Sequence, residues 1–485
     1  MLLTELLHNV PAVCVSREKE AEITSVCCDS RKAEKGCLFI AVRGYQSDGH
    51  RFIASAVERG AAAVLAEEAP EEIPAGVAVY LTENTRAAVA DAAAAFYRHP
   101  ERQLRLVGVT GTNGKTTSTH LICHILEQTG HPCGLIGTNG IRIREELRPA
   151  DRTTPDGLEL YALLREMADA GCEYAVMEVS SHSLVLDRVR GLHYAAAAFT
   201  NLTQDHLDFH GDMEHYFEAK ALLFDRCDTA VINLDDAYGA RLAQQVKCPV
   251  ITFSAKRDEA RLVAKNVRLQ PDNVQAVLVR DNDIARMRLN IPGMFSVYNG
   301  LTAIACCLAL GMGLEEVTEA LRTAQGVKGR AEIVPTGRDF TVMIDYSHTP
   351  DSMENILRTV RDYAKGRVIG VFGAGGDRDK TKRPLMGKVG GEGCDLCVVT
   401  SDNPRSEDPD AIIQDILAGM SAKHRYKVIP DRREAIAWAV KHAQPDDIIV
   451  LMGKGQETYQ EICGVKHHLD EREEVAKALE APEAR

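Results

Sequence analysis

This sequence predicts an α/β protein of three domains: a small N-terminal α/β unit, a central nucleotide-binding domain with a mostly parallel sheet, and a C-terminal doubly wound, Rossmann-like domain. Three observations carry the prediction. The 485 residues amount to about three domains of ordinary size. The middle third opens on "LRLVGVTGTNGKTTSTHLICHIL", residues 104–126, a strand, a glycine turn and a helix in succession. The last third repeats an apolar strand followed by a helical pattern, in "FTVMIDYSH", "GRVIGVFGAGGDRD", "DLCVVTSDNPR", "YKVIPD" and "DDIIVLMGKGQET", and strands alternating with helices imply a parallel sheet.

Residues 1–100 carry short strands, "GCLFIAV" and "AAAVLAE", and an alanine-rich helix, "RAAVADAAAAFYRHP", that stops at Pro100. The second domain, 101–328, starts with a buried strand (Leu106, Val107, Val109) and a helix over 116–126. Between them the phosphate-loop spelling G-x-x-x-x-G-K-[ST] is broken: Val109 stands where the first glycine belongs, with Gly108 and Gly111 instead. The physics of a site survives the misspelling. Gly111, Thr112, Asn113 and Gly114 form a tight turn whose backbone N–H groups can face an anion at a helix N-terminus. Lys115 adds a point charge for the outer phosphates, and Thr116, followed by Thr117, offers a hydroxyl to Mg²⁺. This domain ends in the apolar helix "NGLTAIACCLALGM", and "QGVKGRAEIVPTG" marks the boundary to the third domain, 329–485.

Composition narrows the partners. A formal charge of −13 argues against nucleic acid or an acidic membrane as the main partner, so an anionic ligand must be held by local donors. No stretch of 18 apolar residues occurs, and "MLLTELLHNVPAV" lacks a basic leader segment. The expectation is a cytoplasmic monomer without membrane insertion, acting on small molecules, its 14 scattered cysteines reduced. Cys394 and Cys397, the one C-x-x-C, read as core packing.

Polar clusters recur directly after apolar strands: "VMEVSSH", "AFTNLTQDH", "VFGAGGDRD", "VVTSDNPR" and "VLMGKGQE". Ligands of open α/β sheets bind beyond the carboxyl ends of the strands. Glu178 is placed to share a Mg²⁺ with Thr116, or is a solvated strand end. Asp205, His206 and His210 are candidates for a second cation, although loop histidines are ordinarily structural. Lys220, a helical lysine beside apolar residues, ordinarily snorkels to water. "GAGGDRDKTKRP", with Arg378, Lys380, Lys382 and Arg383, reads as a carboxylate or phosphate clamp. "DNPR", 402–405, reads as a ligand loop or as a turn with Pro404 opening a helix.

Together these strings resemble the Mur ligase family across essentially the whole chain: "DSR" at 29–31, "GTNGKTT" at 111–117, "TTPD" at 153–156, "EVSSHSL" at 178–184, "TNLTQDHLDFHGDMEHYFEAK" at 200–220, "DYSHTPDS" at 345–352, "GGDRDKTKRPLM" at 375–386, "DNPR" and "GKGQE" at 453–457. The resemblance is strongest to members that add meso-2,6-diaminopimelate to UDP-N-acetylmuramoyl-L-alanyl-D-glutamate in peptidoglycan precursor synthesis. It implies an ATP-dependent amide ligase working through an acyl phosphate on the D-glutamate γ-carboxylate, with Mg²⁺. Cys28, Ser30 and the Tyr45-Gln46-Ser47 turn would hold the uridine diphosphate. Thr153, Thr154, Ser180 and Arg188 would hold the muramoyl peptide, and Asn299, Arg330 and Asp345 the ATP. Arg378, Asp402, Asn403, Pro404, Arg405, Gly453 and Glu457 would hold diaminopimelate. Lys220 resembles a lysine that CO₂ converts to a carbamate, an oxygen ligand of the kind hard cations prefer, so that with His206 it would hold the second Mg²⁺. Lys115, Glu178, His206 and Lys220 are thus the expected catalytic set.

Two residues depart from the family pattern: Gln456 replaces a histidine in "GKGHE", and Leu186 stands where some members have a polar residue. Diaminopimelate differs from lysine by a second carboxylate, which Arg405 could grip with two parallel hydrogen bonds; lysine would leave that buried arginine unpaired. The competing readings are another Mur-type or folylpolyglutamate-type ligase, which "DNPR" and the uridine-binding first domain oppose, and a P-loop switch or motor, which leaves the arginine-rich third-domain loops without a role.

Overall fold

The computed structural model describes residues 1–44, 47–72, 74–270 and 273–480. Apolar strands flanked by amphipathic helices have to bury both sheet faces, and the chain does so around three large sheets. The N-terminal sheet comprises β1 (Val13–Cys14), β2 (Ser25–Cys27), β3 (Cys37–Ile40), β4 (Ala61–Ala66) and β5 (Ala78–Leu81), in the order β1-β5-β4-β3-β2. All neighbours are parallel except the β1–β5 pair. The alanine-rich helix spans Thr85–Phe96, with the Asn84 side chain accepting from Ala87 N. It stops short of Pro100 because Arg98 and His99 adopt left-handed backbone conformations (φ 60° and 51°).

The central sheet has eleven strands: β6 (Arg105–Thr110), β7 (Cys133–Gly137), β8 (Gly140–Ile143), β9 (Glu146–Arg148), β10 (Tyr174–Glu178), β11 (Tyr194–Phe199), β12 (Cys227–Asn233), β13 (Val250–Ser254), β14 (Leu262–Leu269), β15 (Val274–Arg280) and β16 (Asp283–Leu289). Their order is β16-β15-β14-β13-β12-β11-β6-β10-β7-β8-β9. The seven strands from β14 to β7 run parallel, and antiparallel hairpins extend both ends. The mostly parallel expectation therefore holds for the core of the sheet. The helix after β6, Lys115–Gln128, buries Leu121, Ile122, Ile125 and Leu126 in the same core as the apolar helix Met294–Ala309, each side chain stabilising the fold by roughly 1.5–3 kcal/mol.

The C-terminal sheet comprises β17 (Glu332–Val334), β18 (Thr341–Asp345), β19 (Val368–Phe372), β20 (Leu396–Val399), β21 (Tyr426–Val428) and β22 (Ile448–Met452), in the order β17-β18-β22-β19-β20-β21. Every pair is parallel except β17–β18. All five strands expected from the sequence are present. A separate antiparallel hairpin, β23 (Tyr459–Ile462) and β24 (Val465–His468), follows β22.

One cysteine expectation is corrected. Cys123, on the helix after β6, and Cys133, which opens β7, form a disulfide; both face one core space with Cα atoms 5.9 Å apart. Cys397 is buried on β20 and Cys394 packs against it in the same core.

Candidate active site

The phosphate loop depends on two glycines. Gly111 (φ +144°) lies against Thr200, whose Oγ1 a Cβ would strike, and at Gly114 (φ +88°) a Cβ would come within 2.5 Å of Asn299 Oδ1. Gly108 serves packing instead, with the Tyr194 ring 2.9 Å from where its Cβ would be. Gly114 caps the helix without a side-chain bond, leaving the first-turn N–H groups oriented to receive an anion. Lys115 Nζ donates to the carbonyls of Gly111 and Thr112, at 3.0 and 2.9 Å. Thr112 Oγ1 accepts from Thr203 N at 3.0 Å, and Asn201 Oδ1 accepts from Asn113 N at 2.9 Å, so the loop after β11 clamps the turn.

Lys220 does not snorkel. Its side chain is 1% exposed, its Nζ donates to Gly111 O at 2.9 Å, and the ammonium lies 4.5 Å from the centre of the Tyr216 ring. Burial, reinforced by the nearby Lys115 charge, lowers its pKa well below the lysine range. Burial lowers Lys115 as well. The helix Met213–Ala221 turns this face inward, so the amine is buried instead of reaching the surface.

Glu178, at the end of β10, is 1% exposed. Its carboxylate accepts from Thr116 Oγ1 at 3.1 Å, Thr138 N at 2.8 Å and Thr138 Oγ1 at 3.1 Å. Arg330 Nη2 donates to the same Thr116 hydroxyl at 3.1 Å. His206 occupies a left-handed position (φ 55°), 3.4 Å from Asp205, in a group of rings with His182 and Tyr216. Burial of its ring holds it below the ordinary histidine value, against the pull of Asp205. His210 stacks on Tyr216 and hydrogen-bonds Ser181 Oγ at 2.8 Å.

Among the described residues no three His, Cys, Asp or Glu side chains cluster as a metal site. Thr116 and Glu178 offer a hydroxyl and a carboxylate, with the Asp205 carboxylate and the His206 imidazole nearby. That set fits Mg²⁺, which is usually held by one or two carboxylates together with substrate phosphates.

A cleft of about 310 Å³ lies between the central and third domains, lined by Asn113, Gly114, Thr117, Asn299, Arg330 and Asp345 together with Phe295, Tyr298 and Asp351. Asn299 is buried, and Arg330 stacks 4.5 Å from the centre of the Tyr346 ring. Asp345 accepts from Ala331 N at 2.7 Å and Ser347 N at 2.8 Å, holding the linker after residue 328 in place.

Beside Glu178, Thr153 meets Thr138 at 3.0 Å, and Thr154 Oγ1 donates to Glu178 O at 2.8 Å and accepts from Ser180 N at 3.1 Å. Arg188 donates to Thr154 O at 3.2 Å and pairs with Asp156 at 3.0 Å. Cys28 faces this group from the first domain: burial, then the Asp156 charge, pushes its thiol up to about 12. Ser30 is buried and opens a short 3₁₀ turn. The Ser47 carbonyl accepts from Gly44 N at 3.0 Å, whereas Tyr45 and Gln46 lie outside the described residues.

In the third domain the loops after β20 and β22 meet. Lys454, completely buried, donates to Asn403 Oδ1 at 2.8 Å and Glu457 at 3.2 Å, and pairs with Asp402 at 3.3 Å. Asn403 Nδ2 donates to Glu457 at 2.9 Å. A Cβ on Gly453 would lie 2.6 Å from Asp402 Oδ2, so glycine lets the two loops touch. Pro404 is buried beside them and opens no helix. Arg378 is exposed and donates to Asp377 O at 3.0 Å.

Two expectations change. Arg383 does not face a ligand: it is 1% exposed and paired with Glu407 and Asp415, because its helix turns it into the domain. Arg405 is only partly buried, donates to Gly376 O at 2.7 Å and pairs with Glu461 at 3.2 Å. The β23–β24 hairpin lies across its loop, so the guanidinium has a carboxylate of its own and lysine would not leave it unpaired.

Sequence reasoning also missed Asp351. It accepts from Asn113 Nδ2 at 2.9 Å and Thr203 Oγ1 at 3.2 Å, joining the third domain to the phosphate loop. It sits in a quoted motif that carries no signal of which domain it faces. Lys382, expected in the clamp, is pulled down by burial and lies close enough to Asp205 to feel its charge.

Comparisons with known proteins agree with this geometry. Residues 22–97 match the model for the Mur ligase family, catalytic domain, 109–307 the Mur ligase middle domain, and 329–455 the Mur ligase, glutamate ligase domain. The UDP-N-acetylmuramoyl-L-alanyl-D-glutamate–2,6-diaminopimelate ligase of Caldanaerobacter subterraneus is 46% identical over 481 residues, and that of Clostridium tetani 42% over 484, each covering 99% of both chains. A solved structure of a ligase of that name aligns over 94% of both chains with a TM-score of 0.68 and 34% identity. MurF from Acinetobacter baumannii, 21% identical with a TM-score of 0.68 over 99% of this chain and 98% of its own, shares the fold. Matched from the N-terminal sheet to the loop after β22, this chain belongs to the Mur ligase family.

Proposed function

We propose that this chain is the ATP-dependent ligase that joins meso-2,6-diaminopimelate to the D-glutamate γ-carboxylate of UDP-N-acetylmuramoyl-L-alanyl-D-glutamate, a cytoplasmic monomer in peptidoglycan precursor synthesis. The observation that carries the reading is convergence. Thr116 of the phosphate loop donates to Glu178 and accepts from Arg330, which stacks on Tyr346, and Tyr346 packs against Gly455 of the loop after β22, so contacts run from the phosphate loop to both the Glu178 group and the Lys454 group. In this reading 1–100 holds the uridine nucleotide, 101–328 the ATP and 329–485 the amino acid; residues 481–485 lie outside the described structure.

A free carboxylate does not accept an amine, because its negative charge repels the nucleophile's lone pair and oxide cannot leave. ATP therefore transfers its γ-phosphoryl to the γ-carboxylate, giving ADP and an acyl phosphate. The amine attacks the carbonyl, loses its proton, and phosphate departs as the amide forms. Lys115 and the first-turn N–H groups hold the β- and γ-phosphates and offset the charge that builds on the transferred group. Thr116 and Glu178 would hold one Mg²⁺; His206 and Lys220, as a carbamate, would hold a second. Bound there, Mg²⁺ neutralises phosphate charge and aligns its oxygens. Lys220 suits carbamylation because its amine is buried, depressed in pKa and, among the described residues, in no close ion pair with a carboxylate. Asn299 with Phe295 and Tyr298 receives the adenine, and Arg330 reaches the phosphates from the linker. Cys28, Ser30 and residues 45–47 hold the uridine diphosphate, while Thr153, Thr154, Ser180 and Arg188 hold the muramoyl peptide. Asp402, Asn403, Pro404, Arg405, Gly453 and Glu457, with Arg378 at the rim, receive diaminopimelate. The enclosed cleft keeps water from the acyl phosphate.

The test is phosphate release with each candidate amine. Release that requires both the muramoyl dipeptide and diaminopimelate supports the reading; steady hydrolysis with neither would overturn it.

A further inference from the structure

The two amine-side loops hang from strands that are not neighbours. β22 carries the Gly453–Glu457 loop, β20 carries the Asp402–Arg405 loop, and β19 lies between them. Backbone pairing in the sheet therefore does not fix their separation at the tips. Arg432, the first residue of the helix Arg432–Lys441, bridges them from below. Its side chain is completely buried. Its Nη2 donates to Met452 O at 2.8 Å and its Nη1 to Ser401 O at 3.4 Å. Those are the carbonyls immediately preceding Gly453 and Asp402. Nε and Nη2 both donate to Glu471 Oε1, at 2.9 and 2.8 Å, anchoring the guanidinium to the C-terminal helix Glu471–Glu480. Gly373, after β19, leaves room for the crossing: a Cβ there would come within 2.9 Å of Asp402 N.

We propose that Arg432 is the positioning residue of the amine site, a fork that sets the spacing between the Asp402–Arg405 and Gly453–Glu457 loops. The proposal rests on the reading that these loops receive diaminopimelate. A planar guanidinium does this where an ammonium cannot, because its fixed N–H directions serve two carbonyls and a carboxylate at once. Its charge also acts on the site. Burial works against the ionised form of Asp402, but Lys454 and Arg432 hold that carboxylate below its ordinary range. Arg432 itself lies completely buried beneath the two loops.

The test is Arg432→Lys, assayed for the KM of each substrate and for kcat, with melting temperature measured in parallel. A shift of about 1 Å at a reacting group can cost on the order of 100-fold, so KM for diaminopimelate should rise at least about tenfold. The KM values for ATP and the muramoyl dipeptide should stay within about twofold, since the phosphate loop and Glu178 lie in another domain. Should Arg432→Lys fail to fold, Glu471→Gln keeps both carbonyl bonds while weakening the anchor, and it should raise the same KM selectively but less. An unchanged KM for diaminopimelate in a folded variant, or a common shift in all three KM values, overturns the proposal. Arg405→Ala separates the two readings: if it leaves KM for diaminopimelate unchanged the amine-site assignment itself fails, and if only Arg432→Lys is silent the positioning role alone fails.

Discussion

At the scale of single residues, the most informative side chain is Lys220, because burying an amine is costly unless it has a use. Lys220→Ala should be nearly inactive while folding normally, and acetate should restore part of the activity by supplying oxygens where a carbamate would stand. Intact mass in bicarbonate at mildly basic pH checks the same point, since a protein without the added mass of CO₂ would remove the second-metal assignment. Lys115→Ala should lose at least about 100-fold in kcat, the usual scale for one electrostatic contact to a transferring group; near-normal turnover would take the loop out of the mechanism. Sequence alone could not distinguish these two lysines. Lys115 was legible because a glycine turn before a helix has few other uses. Lys220 was legible only through family resemblance, because its chemistry depends on a burial that a helical pattern does not reveal. Asp351 was illegible for a related reason: it acts across a domain boundary, and spacing along a chain says nothing of what another domain brings to meet it.

At the scale of elements, the mostly parallel sheets followed from strand–helix alternation, whereas the hairpin β23–β24 changed the reading of a neighbouring loop. Arg405 N donates to Glu461 O at 3.1 Å and Cys463 N to Arg405 O at 2.8 Å, a long-range pairing that no local pattern around "DNPR" announces. The helix Lys382–Gly393 gives a second case, because its arginine looked like a ligand clamp and is an internal strut. Glu407 accepts from Arg383 at 2.8 and 3.0 Å and from Asp377 N at 2.6 Å. The Arg383 hydrogen bonds, then that of Asp377 N, lower its carboxyl to about 2. A group depressed in the folded state contributes stability above its unfolded pKa and loses it as pH falls through the folded value. This strut should therefore hold fully above about pH 4.5 and fail progressively toward pH 2. Thermal melts of the natural protein should fall more steeply across that window than those of Glu407→Gln, which should be less stable at neutral pH. Parallel melting curves for the two proteins would show that the strut contributes nothing.

At the scale of the whole molecule, the site exists only because the third domain sits over the phosphate loop, and a short linker holds it there. Gly329 has φ +71°, and a Cβ on it would strike the backbone of Gly455 and Gln456. Ala331 is also left-handed, at φ 46°, a conformation costing a side-chain-bearing residue roughly 1–2 kcal/mol. On one side Asn139 Nδ2 donates to Lys328 O at 2.8 Å; on the other, Gly329 N donates to Glu332 at 2.6 Å, which Arg472 holds in turn. Between these ties Arg330 reaches Thr116, and Asp351 reaches Asn113 from beyond β18. Backbone strain maintained by ties on both sides is stored energy that favours one arrangement of domains. Gly329→Ala adds strain and a clash at the point where the linker touches the loop after β22, yet it removes no group that meets a substrate. The variant should keep the folded content and melting behaviour of its separate sheets but seat the third domain poorly. Its kcat should fall by about tenfold or more, as expected when reacting groups are displaced by about 1 Å, and its radius of gyration in solution scattering should increase. A variant with normal kcat and an unchanged radius would mean that the linker merely connects the domains, and that the alignment of the phosphate loop with the amine-side loops is set by the faces that meet across the cleft.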